Sequence, residues 1–137
     1  MALITEFFEQ DDLQQLALDV GIYLDCPLLV LDDAFRVVAH FCPVGFSDPL
    51  FRGAVSQGAI TYEASAVISK SQALRGGSAD MIKLEESSFR RRFAPLICTG
   101  VRLGYLICVD TDGHLPKIPE EIWRQIDLIL AKQLFIE

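Results

Sequence analysis

Apolar residues recur along the chain at two spacings. At helical spacing, Leu13, Leu16, Ala17, Val20 and Leu24 share one arc, and Ile122, Trp123, Ile126, Ile129, Leu130 and Leu134 form a second stripe near the end. Between them, short aromatic and β-branched runs bounded by Asp, Gly and Pro read as strands. The pattern predicts a helix over 2–24, strands over 28–31 and 36–42, and helical segments over 48–74. Strands over 81–85, 89–98 and 102–110 and a closing helix over 119–136 follow. The turns at Asp33-Ala34 and Gly100-Val101 are too short for the crossover that parallel pairing requires, so the sheet is expected to be antiparallel. The result is one mixed α/β (α+β) domain with about five strands, undivided by repeats or low-complexity linkers.

The last hairpin carries the most information. With its turn centred on Gly100-Val101, Cys98 stands opposite Leu103 and Phe93 opposite Cys108. One face then carries Phe93, Pro95, Ile97, Gly104, Leu106 and Cys108. The other carries Arg92, Ala94, Leu96, Cys98, Leu103, Tyr105, Ile107 and Val109. Both faces are apolar, whereas a sheet with one wet side would alternate, so both are expected to be covered. The first suits packing helices; the second, ending in a guanidinium and a phenol, is expected to line a cavity. Strand 36–42 divides in the same way, with Val37, Ala39 and Phe41 on one side and Arg36, Val38, His40 and Cys42 on the other. The expected ligand-binding set is therefore His40, Cys42, Arg92, Leu96 and Tyr105, with Tyr62 added from the helical cover.

The terminal helices carry a second signal. Leu3, Ile4, Phe7 and Phe8 lie opposite the Leu13 to Leu24 arc, so either the helix breaks at Asp11-Asp12, which suits an N-cap, or its early face meets another subunit. The closing helix has a narrower stripe of Leu128, Ala131 and Phe135 between Arg124, Asp127 and Lys132. These features predict a homodimer through Leu3, Phe7, Phe8, Leu128, Ala131 and Phe135.

Composition narrows the function. The chain has 137 residues, 51% of them apolar, enough for a core without staples. With 12 basic and 19 acidic residues it carries −7, unlike a surface that neutralises phosphates, so these residues are not expected to contact nucleic acid. No run approaches the roughly 20 apolar residues of a membrane helix, and no basic residue opens the chain, so a cytoplasmic, membrane-free protein is expected. Cys26, Cys42, Cys98 and Cys108 form no C-x-x-C pair and read as small buried hydrophobes.

Catalytic constellations do not assemble. Ser56, with Asp110 and His114 following, resembles a nucleophile elbow, but it sits in a helical stretch rather than between strand and helix. His40 and Cys42 share a strand face, yet even with His114 they fall short of four zinc ligands, and no glycine-rich phosphate loop occurs; neither metal nor cofactor is expected. Arg90-Arg91-Arg92 follows Glu85 and Glu86 and reads as compensating surface charge, or else Arg92 holds a ligand anion.

The run LLVLDDAFRVVA from Leu28 to Ala39, with RFAPLI from Arg92 and GVRLGYLICV from Gly100, resembles the sheet of GAF-type sensor domains. It is most similar to the amino-terminal sensor of PucR-type (purine catabolism regulator) bacterial transcription factors. The resemblance spans nearly the whole chain and implies a PAS/GAF-like fold, with terminal helices on one face of the sheet and a small-molecule cavity beneath loops on the other. It further implies a non-catalytic sensing and dimerisation domain that answers to a metabolite effector. Such domains usually have glycine where this chain has Phe35, which predicts a first turn of different shape. The sequence ends at Glu137 without a helix-turn-helix, so it reads as a fragment of a longer regulator or a free-standing sensor. Two alternatives remain. One is a ligand-free interaction module. The other is a thiol enzyme like the GAF-fold methionine sulfoxide reductases, suggested by the spacing of Cys98 and Cys108, although the register above sends these two to opposite faces.

Overall fold

The computed structural model describes residues 12–60, 68, 79–83 and 89–136. Helix α1 (Leu13–Leu24) begins where the Asp12 side chain accepts a hydrogen bond from the Gln15 N–H at 3.0 Å, so Asp12 is the cap that the break in the apolar arc predicts. It buries Leu13, Leu16, Ala17, Val20, Gly21 and Leu24 along one face and stops at Asp25 in the left-handed conformation. Leu3, Phe7 and Phe8 lie outside the described residues.

Strands β1 (Leu28–Asp32), β2 (Val37–Phe41), β3 (Asp80–Lys83), β4 (Arg90–Cys98) and β5 (Val101–Asp110) form an antiparallel sheet in the order β2-β1-β5-β4-β3. Helix α2 (Pro49–Gln57) connects toward the second face, and helix α3 (Glu120–Ile136) returns to the first. The mixed architecture and five-stranded sheet agree with the sequence reading. No helix among the described residues is long and apolar enough to cross a membrane.

The hairpin register differs from expectation by one residue. Phe93 stands opposite Ile107 and Arg92 opposite Cys108, and a bulge between Leu96 and Ile97 brings Cys98 opposite Val101. The turn residues are Thr99 and Gly100, with φ of 52° and 79°. Two positive φ values in a two-residue loop match the right-handed twist of the strands, which is why the turn sits there. A one-residue slip exchanges every side chain between faces. Arg92 and Leu96 therefore share the helix-covered face with Leu106 and Cys108, while Arg91 and Phe93 share the other face with Tyr105, Ile107 and Val109. A bulge between Val30 and Leu31 does the same to β2. Ala39 and Phe41 pack toward the helices, whereas Val37 joins the second face.

Both faces are dry, as the double apolar pattern requires. The first core contains Leu16, Val20, Leu28, Val30, Leu96, Leu106, Trp123, Ile126 and Leu130, between the sheet and helices α1 and α3. The second contains Leu29, Leu31, Phe51, Ala54, Ile68, Phe93, Tyr105, Ile107 and Val109.

Candidate functional site

The second face is built from aromatic rings. Tyr105 lies between Phe35 and Phe93, with centroids 5.1 and 4.9 Å away and rings 14° and 23° from parallel. Phe46 meets Phe51 edge-on at 5.7 Å and Phe89 at 5.6 Å. Phe35 occupies the β1-β2 turn with φ of 63°, the left-handed backbone that glycine adopts readily. The expected difference in turn shape is therefore absent at that residue. Asp32 holds the turn by accepting from the Ala34 and Arg36 N–H groups, both at 2.9 Å, and from the Arg36 guanidinium at 2.8 Å.

One buried ion pair anchors α2 to this face. Asp48 caps the helix by accepting from the Phe51 N–H at 3.0 Å, and Pro49 follows in the first turn. The same carboxylate oxygen pairs with Arg91, which also donates to the Phe89 carbonyl at 3.0 Å. The two side chains are only 5% and 3% exposed. Burial pulls the Arg91 guanidinium below its ordinary range, and Asp48 opposes that shift.

A cavity of about 320 Å³ opens between the end of β2 and one face of α2. His40, Cys42, Phe51, Arg52, Val55 and Ser56 line it. Cys42 is exposed and its thiol lies 3.6 Å from the Pro43 carbonyl; burial of the sulfur nonetheless pushes its pKa up.

Arg92, the next residue on β4, points the opposite way. Its guanidinium forks onto Asp127 of α3 at 2.9 and 3.1 Å and lies 3.9 Å over the Trp123 ring. Burial raises the Asp127 carboxyl, and Arg92 opposes the shift. Arg92 also borders a second cavity of about 280 Å³, with Met81, Leu115, Glu120 and Trp123.

Of the residues expected to bind a ligand, the structure brings His40 and Cys42 together at the cavity and places Tyr105 on the same face, inside the aromatic stack. Arg92 and Leu96 are not with them, because the corrected register turns both toward the helices. Tyr62 lies outside the described residues. Asp48 and Arg52 escaped the sequence reading, and Arg91 and Arg92, read there as compensating surface charge, are buried and paired with Asp48 and Asp127. A cap at Asp48 before Pro49 is readable, but its partner lies 43 residues away.

The cysteines are free. Cys98 and Cys108 lie on one face rather than opposite ones. Cys108 is fully buried beside Cys26, and burial followed by that neighbouring thiol pushes it well above its ordinary value, the reverse of a nucleophilic thiolate. His114, weighed as a metal ligand beside His40 and Cys42, is engaged with Asp112 and, at 2.7 Å, with the Leu24 carbonyl.

No protein-family model matches the sequence, and no curated protein does. Solved structures do match. The cofactor-binding GAF domain of the nutrient sensor CodY from Clostridium difficile superposes with a TM-score of 0.61 at 13% identity, over 93% of this chain and 90% of that one. The fold is GAF-like. The E. coli DhaR(N)-DhaL complex also matches, with a TM-score of 0.52 at 18% identity, over 97% of this chain but only 53% of that one. The GAF-like domain thus keeps α1 and α3 on one face of the sheet and its aromatic rings, α2 and the cavity beside β2 on the other.

Proposed function

We propose that this GAF-like domain is the non-catalytic sensing domain of a PucR-type transcriptional regulator, and that it binds a small cytoplasmic metabolite in the cavity between β2 and α2. The observation that carries the reading is that cavity, which lies at the edge of a dry aromatic face and is lined by the expected His40 and Cys42. The CodY domain, described as cofactor-binding, supports it.

Arg91 and Arg92 offer a route outward. Consecutive on β4, they grip the cap of α2 on one face and the middle of α3 on the other. A ligand that displaces α2 bears on a strand residue whose neighbour holds a terminal helix. The switch requires that the ligand bind the two arrangements with different affinity. A screen of purines, amino acids and small organic acids by thermal shift is expected to give a ligand whose stabilisation grows with concentration, reaching about 2.7 kcal/mol at a hundred times its Kd. Indifference across the panel rejects sensing and favours an interaction module, a role supported by the complex in which the DhaR domain occurs.

The output is a homodimer through α3. Leu128 and Phe135 are 51% and 56% exposed, two turns apart, beside exposed Ile136. Ala131 is fully buried in the first core and is not part of this surface, because the helix turns it toward the sheet. Phe135→Glu is expected to raise the dimer dissociation constant at least about tenfold while leaving the fold intact, because the residue is exposed. Unchanged sedimentation at micromolar protein rejects this pairing.

A further inference from the structure

We propose that His114 is a pH-sensitive latch that, as an imidazolium, ties the connection between β5 and α3 to the C-terminal end of α1 and loosens when it loses its proton. The latch stands apart from the metabolite cavity, which lies on the other face of the sheet.

The hydrogen bonds of the ring dictate its charge. Nε2 lies 2.7 Å from the Leu24 carbonyl oxygen, and Nδ1 meets the Asp112 carboxylate. A carbonyl only accepts, and so does an ionised carboxylate, so both nitrogens must carry hydrogen. A neutral imidazole has a single N–H and would turn a lone pair on one of these oxygens. The place suits a cation for a second reason. Leu24 is the last residue of α1, where carbonyls lack partners within the helix and the helix dipole is negative. The charged groups that act on the ring are Asp112 in its own loop and Asp110 at the end of β5; no group of α3 is among them. The Leu24 carbonyl, then Asp112 and Asp110, hold the imidazole above its ordinary range against the opposing effect of burial. The same contact holds the Asp112 carboxyl below its own.

The latch joins residues 90 positions apart and reaches the output helix through one further bond. The Trp123 indole N–H of α3 donates to the Leu115 carbonyl at 3.4 Å, one residue beyond His114. The Trp123 ring in turn lies against the Arg92 guanidinium that grips Asp127. His114 is 27% exposed, so solvent protons reach it. Stabilisation from a histidine raised on folding is complete below the unfolded value of about 6.5 and is lost as pH rises through the higher folded one. The connection is therefore tight in mildly acidic solution and looser in alkaline solution.

The chain has two histidines and one tryptophan, so His114→Gln assigns the ring C–H signals in proton NMR and indole fluorescence reads Trp123 alone. The His114 ring is expected to titrate above about 6.5 in the folded protein, and Asp112→Asn to lower its midpoint by at least about half a pH unit. Trp123 emission is expected to change with the same midpoint in the wild type and to stay flat over that range in His114→Gln. The melting-temperature advantage of the wild type over His114→Gln is expected to shrink between about pH 6 and about pH 9. A ring that titrates at or below about 6.5, or whose midpoint ignores Asp112→Asn, overturns the imidazolium assignment. A ring that titrates as expected while Trp123 emission or the melting-temperature difference ignores it overturns the latch. Should His114→Gln fail to fold, Asp112→Asn carries the test, with the Trp123 transition expected to move to lower pH together with the ring; a transition that stays in place overturns the proposal.

Discussion

Asp48→Ala is expected to destabilise the domain by about 3–5 kcal/mol in urea denaturation, because it strands the Arg91 guanidinium in a site where its side chain is 5% exposed. Part of the loss comes from the uncapped start of α2, a contribution of about 1 kcal/mol. The two contributions separate in a second variant. Asp48→Asn keeps an oxygen for the Phe51 N–H but removes the charge, so it isolates the ionic part. The double change Asp48→Leu with Arg91→Met is expected to lose far less than either single removal, since an apolar pair of similar volume often replaces a buried ion pair at little cost. If both single variants lose less than about 1 kcal/mol, α2 is not anchored through this pair.

Gly104→Ala is expected to cost about 3 kcal/mol or more, an unusual amount for one added methyl. A Cβ at this position would stand 1.9 Å from the Leu31 carbonyl oxygen and 2.9 Å from a methyl of Leu134. The leucine of α3 can turn aside, but the carbonyl belongs to β1 and cannot move without opening the β1-β5 ladder. Reduced melting temperature together with faster amide exchange at Leu31 and Asp32 is the expected signature. Wild-type stability in Gly104→Ala rejects a close approach of the Leu31 carbonyl to this position.

The sequence made some of this legible. β4 and β5 lie within a residue of the predicted 89–98 and 102–110, because hairpin strands flanking a glycine turn write their limits in local chemistry. The dryness of both faces was equally readable, since it depends on composition at alternating positions and survives a slip. Which residue faces which way was not. The turn falls on Thr99 and Gly100, and a β-branched residue at positive φ is disfavoured, so the local signal pointed to Gly100-Val101. That single step exchanged Arg91 for Arg92 on the cavity side of the sheet. The anchor between Asp48 and Arg91 was beyond reach for another reason, since it joins residues whose proximity exists only once the sheet has formed.

The turn at Phe35 has a further consequence. A bulky residue held in the left-handed region costs about 1–3 kcal/mol, and a stacked aromatic pair contributes about 0.5–1.5 kcal/mol in return. The loop is thus a cocked spring, kept bent by the ring on which it rests. Whatever lifts Phe35 from Tyr105 also lets the backbone relax, so the β1-β2 corner gives way more readily than the buried ring beneath it suggests.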